Sequence, residues 1–124
     1  MVIKTEMYGT ENINSYTGDL ISKLNMSTKQ FESRLVLTEL ITNAHKYGNQ
    51  YDSRVPIRIS IKKLEDRIRI EVSDLGLCLK PSRIKKNFAD NELMNESGRG
   101  LFLVNQLSDE LFIQPKRVIS VIKI

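Results

Sequence analysis

Apolar residues at helical spacing in the first half of the chain, strict apolar alternation in the two segments after it, and the order in which these patterns follow one another predict an α/β (α+β) fold. The architecture expected is a two-layer sandwich, a mostly antiparallel sheet with helices on one face. Val2 to Tyr8 reads as a short opening strand. After Gly9-Thr10, Ile13, Tyr16, Leu20, Ile21 and Leu24 lie on one side of a first amphipathic helix that ends near Asn25. Ser27 offers a hydroxyl N-cap with Gln30 three residues on, opening a second helix that runs to about Tyr47-Gly48, where glycine supplies a stop signal. Ile57, Ile59 and Ile61 face one way in the next segment and Ile68, Ile70 and Val72 in the one after. The connecting Lys63-Leu64-Glu65-Asp66 makes the pair a hairpin. From Asp74 to Gly98 the pattern dissolves into Gly, Pro, Ser, Asn and charge over about 25 residues, longer than an ordinary connection and of the kind used as a lid. A third helix begins around Gly100, and strands near Glu110 to Gln114 and Arg117 to Ile124 close the order β-α-α-β-β-loop-α-β-β.

With 124 residues, one cysteine, no tryptophan and three prolines, the chain reads as a single domain over 1–124. A domain of this size buries roughly two thirds of its unfolded surface and needs no disulfide or metal staple. Cys78 has no second cysteine to pair with, which points to a reducing, cytoplasmic setting. No run approaches the ~18 apolar residues of a membrane span, and Met1-Val2-Ile3-Lys4-Thr5-Glu6 lacks the basic-then-apolar order of a signal peptide. The net charge of +4 is modest, and its cations alternate with apolar residues, as in Ile57-Arg58-Ile59-Ser60-Ile61-Lys62. No basic surface studded with aromatics is visible, so neither nucleic acid nor membrane is expected as a direct partner.

Three constellations carry chemistry. In Glu39-Leu40-Ile41-Thr42-Asn43-Ala44-His45-Lys46-Tyr47-Gly48, a rotation of about 100° per residue gathers Glu39, Asn43 and Lys46 within roughly 60° of one another, opposite Leu37, Leu40, Ile41 and Ala44. A carboxylate that takes a proton, an amide oxygen that ligates a hard cation and an ammonium that meets phosphate are parts that phosphoryl transfer uses. A solvated helix face with an i,i+4 pair has the same pattern. In Asp74-Leu75-Gly76, an acceptor-only carboxylate at a strand end can receive the exocyclic amine of adenine, although Asp-x-Gly is also an ordinary turn. In Gly98-Arg99-Gly100-Leu101, backbone N–H groups at a helix start form an anion site to which Arg99 adds charge.

In this order and spacing, Glu39-x-x-x-Asn43, Asp74-x-Gly76 and Gly98-x-Gly100-Leu101 resemble the N, G1 and G2 boxes of the GHKL ATPase superfamily. The likeness covers nearly the whole chain. Gly98 to Val104 followed by Leu107-Ser108-Asp109-Glu110 is most similar to the stand-alone anti-sigma-factor serine kinases of the RsbW and SpoIIAB type. The resemblance implies a histidine kinase-like ATPase fold that binds ATP and Mg²⁺. It makes Glu39 the general base and Asn43 the Mg²⁺ ligand, places adenine on Asp74 and Gly76, and closes Gly98, Arg99, Gly100 and Leu101 on the phosphates. Lys46 and Tyr47 become phosphate and ribose contacts, and the lid falls at about 79–97 with Lys80, Arg83, Lys85 and Lys86 in it. Two positions depart from the family pattern. Cys78 stands where the G1 box usually ends in glycine, and a left-handed backbone there would cost about 1 kcal/mol. Tyr47 stands where the anti-sigma branch commonly has histidine, and His45, two positions earlier, reads as a surface or half-buried histidine.

The activity so implied is that of a protein serine kinase that phosphorylates an anti-sigma-factor antagonist and sequesters a sigma factor, as a homodimer with the opening strand at Val2-Ile3 as a candidate edge. Two alternatives stand beside it: a catalytically weakened binding module, motivated by Cys78, and a detached histidine-kinase-like catalytic domain, motivated by Lys46-Tyr47.

Overall fold

Period-two alternation sets the sheet. The computed structural model describes residues 1–75, 82–84 and 98–124. The strands are β1 (Val2–Met7), β2 (Ile57–Lys63), β3 (Arg67–Ser73), β4 (Ser82–Ile84), β5 (Glu110–Gln114) and β6 (Arg117–Lys123). They join in the order β1-β2-β3-β6-β5-β4 with every neighbouring pair antiparallel. The register aligns the inward residues into rows, Ile3, Ile61, Ile70 and Ser120 in one and Thr5, Ile59, Val72 and Val118 in the next. A one-residue slip would turn all of these isoleucines and valines to water, which is why the register is strongly specified.

Three helices, α1 (Ile13–Ser22), α2 (Gln30–Asn43) and α3 (Gly98–Leu107), form the second layer, with α2 between the other two and α2 and α3 seated on the sheet. Val36, Leu37, Leu40, Ile41 and Ala44 put the apolar side of α2 into the core, where they meet Leu101 and Val104 of α3 and the inward isoleucines. The fold is therefore the α/β sandwich expected, with its helices and its antiparallel sheet in the expected order. Among the described residues no helix is long and apolar enough to cross a membrane.

Four boundaries differ from expectation. First, α1 stops at Ser22 rather than near Asn25, because Lys63 Nζ donates to the Leu24 and Asn25 carbonyls at 2.9 and 3.3 Å and so takes carbonyl groups beyond the helix end. Second, Ser27 is not the cap of α2. The buried Leu24 and Met26 hold the connection to the core, and the chain enters the helix through a left-handed Lys29 (φ 64°) with no side-chain cap. Gln30 Nε2 turns back to the Met26 carbonyl at 2.6 Å instead of completing a capping box. Third, α2 ends at Asn43 and a π-helical turn, Ala44–Gly48, continues it, with the Asn49 N–H donating to the Ala44 carbonyl at 2.8 Å. Fourth, β4 lies in the stretch read as a loop; its three residues carry no alternation, and its order comes from pairing Ser82 to Ile84 along β5. The rest of the expected lid at 79–97, together with Gly76 and Cys78, lies outside the described residues.

Ile70 is fully buried between Ile61 and Ser120 in the middle of the sheet. Truncation of such a side chain removes its transfer free energy and leaves a cavity. Ile70→Ala is expected to lower unfolding stability by about 2–5 kcal/mol in a chemical denaturation series, and a loss under about 1 kcal/mol would contradict this packing.

Candidate functional site

Glu39 and Asn43 stand one turn apart on the half-buried edge of α2, while Leu40 and Ile41 between them point into the core. The first turn of α3 passes directly over this edge. A Cβ placed on Gly100 would lie 2.7 Å from Glu39 Oε2 and 3.1 Å from Asn43 Nδ2, so a side chain there would require these two polar ends to move. Asn43 Nδ2 is buried without a hydrogen-bond partner among the described residues. A carboxylate, an unsatisfied amide and the N–H groups of a helix N-terminus thus converge. That donor set suits an anionic ligand carrying a hard cation.

The second cluster lies past the end of α2. A Cβ on Gly48 would coincide with the carboxylate of Asp74, which rests against that glycine. Gly48 does not take a left-handed backbone, since Gly9 is the only described glycine with positive φ. The helical segment does stop at Gly48, as read from the sequence, and the missing side chain there also admits the Asp74 carboxylate. Asp74 follows β3, and its N–H donates to the Lys116 carbonyl at 2.8 Å, which ties it to the β5–β6 turn. The next N–H, of Leu75, donates to Asn49 Oδ1 at 2.9 Å.

Asn49 escaped the sequence reading. It is 1 % exposed, and its Nδ2 donates to the Val55 and Pro56 carbonyls at 3.3 and 3.4 Å. One amide thereby joins the π-helical turn, the entry to β2 and the Asp74–Leu75 peptide. The available signal was a helix-ending glycine followed by asparagine, which on its own reads as a turn. The loop beyond is shaped by two successive left-handed residues, Gln50 (φ 49°) and Tyr51 (φ 63°), and by Tyr51 N–H donating to the His45 carbonyl at 2.8 Å. His45 is buried with its ring edge-to-face on Tyr51 at 5.6 Å. Arg54 hydrogen-bonds the Asp52 carboxylate in the same loop and holds its pKa below the ordinary aspartate value.

Of the residues singled out from sequence, the structure brings Glu39, Asn43 and Gly100 into one cluster and sets Asp74 against Gly48. Lys46 and Tyr47 are half-buried on the π-helical turn, whose wider winding breaks the 100° progression that put Lys46 in line with Glu39 and Asn43. Gly98 and Arg99 are the first two residues of α3. Leu101 is 4 % exposed and its side chain belongs to the core, which leaves only its backbone to meet a ligand.

The α2 carboxylate–amide pair thus lies beneath the glycine-led start of α3 on this sandwich. Residues 11–123 match the histidine kinase-like ATPase domain, and the chain belongs to that family. Among curated relatives, it is 29% identical over 97 residues to the serine-protein kinase RsbW of Staphylococcus epidermidis, an alignment covering 73% of this chain and 61% of the relative. To the protein of the same name from Staphylococcus aureus it is 30% identical over 101 residues, covering 74% and 64%. The chain spans about three fifths of the length of these curated relatives.

The contact at Gly48 makes a prediction about sign. In a helical turn alanine is favoured over glycine by about 1 kcal/mol, whereas overpacking a filled site costs about 1–3 kcal/mol. Gly48→Ala is expected to be destabilising on balance in denaturant titration; a neutral or stabilising outcome would mean that the Asp74 side chain turns away from this position at little cost.

Proposed function

We propose that the chain is an ATP-dependent protein serine kinase that acts as an anti-sigma factor. The observation that carries the reading is the packing of Gly100 onto Glu39 and Asn43. It sets a base and an amide beneath the helix N-terminus that would receive the phosphates. The family and the similarity to serine-protein kinases support it.

In this reading the histidine kinase-like ATPase domain occupies 1–124 as one unit. Asp74, with Gly76, accepts the exocyclic amine of adenine. Lys46 and Tyr47 contact phosphate and ribose, and the backbone of Gly98, Arg99, Gly100 and Leu101 surrounds the phosphates, with the Arg99 guanidinium adding charge. Asn43 holds Mg²⁺ through its amide oxygen. Among the described residues no three Asp, Glu, His or Cys side chains gather as a metal cage, and Mg²⁺ is ordinarily held by one or two protein oxygens together with substrate phosphates. When bound, Mg²⁺ neutralises charge on the transferring phosphate.

Glu39 takes the proton of the attacking serine hydroxyl as its oxygen bonds to the γ-phosphorus, and the bond from that phosphorus to the β–γ bridging oxygen breaks to release ADP. The residue phosphorylated belongs to an anti-sigma-factor antagonist, and the unphosphorylated antagonist competes with a sigma factor for the same protein. We further propose a homodimer working in the cytoplasm.

Positioning and electrostatics supply most of the rate in phosphoryl transfer, and a general base contributes about 10²–10⁴-fold. Glu39→Ala is therefore expected to keep ATP affinity while transfer to a serine-bearing antagonist falls by about two to four orders of magnitude in a radiolabel assay. Unchanged transfer would take Glu39 out of the mechanism. Asn43→Ala is expected to bring ATP affinity in Mg²⁺ down to the value measured with EDTA, and a variant that keeps the full Mg²⁺ enhancement would assign the ion to other ligands.

A further inference from the structure

The two peptide planes flanking the Asp74 Cα are each held by a hydrogen bond. On one side the Asp74 N–H donates to the Lys116 carbonyl at 2.8 Å, and on the other the Leu75 N–H donates to Asn49 Oδ1 at 2.9 Å. Because each peptide is planar, fixing both planes fixes φ and ψ at Asp74 and with them the direction of its Cα–Cβ bond. The Lys116 contact is backbone to backbone and depends on no side chain. The Asn49 contact depends on a side chain, one that is itself immobilised by its burial and by its donation to the Val55 and Pro56 carbonyls. From that Cα–Cβ direction the carboxylate lies on Gly48, where no side chain obstructs it.

We infer that Asn49 is a positioning residue that sets the choice of purine, by locking the Asp74–Leu75 peptide so that the Asp74 carboxylate faces an exocyclic amine. The inference rests on the proposed nucleotide site. At that edge adenine presents an N–H donor and guanine a carbonyl acceptor. An ionised carboxylate can only accept, so it bonds adenine and repels guanine, and the discrimination lasts only while the carboxylate is held in place. With Asn49 removed, the peptide can rotate, the carboxylate can swing, and the preference for ATP over GTP should fall. The cost is expected mainly in ATP affinity, because GTP has no favourable contact there to lose.

The test is calorimetric titration of wild type, Asn49→Ala and Asn49→Asp with ATP and with GTP in Mg²⁺, with thermal unfolding measured on the same samples. Asn49→Ala is expected to lose about tenfold of the ATP-to-GTP affinity ratio, the size of one buried hydrogen bond. Asn49→Asp keeps an acceptor for the Leu75 N–H but loses the donation to the Val55 and Pro56 carbonyls that holds the side chain, so its ratio is expected to fall between those of wild type and Asn49→Ala. A merely structural role would weaken both nucleotides in parallel, so an Asn49→Ala ratio within about twofold of wild type overturns the inference. If Asn49→Ala does not fold, Asn49→Leu, which fills the same buried site without an acceptor, decides: a ratio reduced about tenfold upholds the assignment to the Leu75 contact, and a ratio within about twofold of wild type refutes it. Wild-type protein that binds neither nucleotide would remove the nucleotide reading itself, and this inference with it. Wild-type protein that binds both equally would remove only the adenine role of Asp74 on which the inference depends.

Discussion

The candidate site is packed around two positions that carry no side chain. Gly100 lets the start of α3 settle onto Glu39 and Asn43, and Gly48 lets the Asp74 carboxylate settle onto the end of the α2 segment. A Cβ at either place would overlap those side-chain ends, so the carboxylates and the amide could not keep their present positions. With both gaps present, the start of α3 packs on α2 at one place and the end of β3 packs on the π-helical turn at another. These elements are far apart in the chain, so no local preference brings them together. The sheet and the apolar side of α2 do so.

The sheet is therefore part of the site's chemistry. Its order places β3 beside β6, and the Asp74 that leaves β3 is held by the β5–β6 turn through the Lys116 carbonyl. Inward isoleucines on β2 and β3 seat α2, which turns Glu39 and Asn43 to its opposite, half-buried edge. The π-helical turn then replaces a continued α-helix at the point where Gly48 and Asn49 must meet the Asp74–Leu75 peptide. Such turns recur at functional sites because they change the direction of the residues that follow. The left-handed pair Gln50 and Tyr51 stores further strain just beyond, where His45 and Tyr51 close the loop.

What could be read from sequence is what is local or periodic. The alternation in Ile57 to Ile61 and Ile68 to Val72 identifies strands because one face is buried and the other is charged. Glu39 and Asn43 are legible as a pair because i and i+4 share a helix edge. The three-residue β4 has no period to detect, and its order is supplied by β5. The N-terminus of α2 misled because Ser27 and Gln30 satisfy the local rule for a capping box, while the burial of Leu24 and Met26 imposes a different entry. Gly48 was read as a stop signal and the helical segment does stop there, but the carboxylate 26 positions away that rests on it leaves no local signature. Asn49 was invisible on the same grounds, since its partners Val55, Pro56 and Leu75 are defined only by the folded chain.

The central claim is that these residues together form an ATP·Mg²⁺ site, and a calorimetric titration of the unmodified protein with ATP in the presence of Mg²⁺ tests it most directly. The account predicts saturable one-to-one binding in the micromolar range that weakens when Mg²⁺ is chelated. No heat of binding at millimolar nucleotide, with the protein folded, would contradict it and leave the glycine-lined cluster as a packing feature alone.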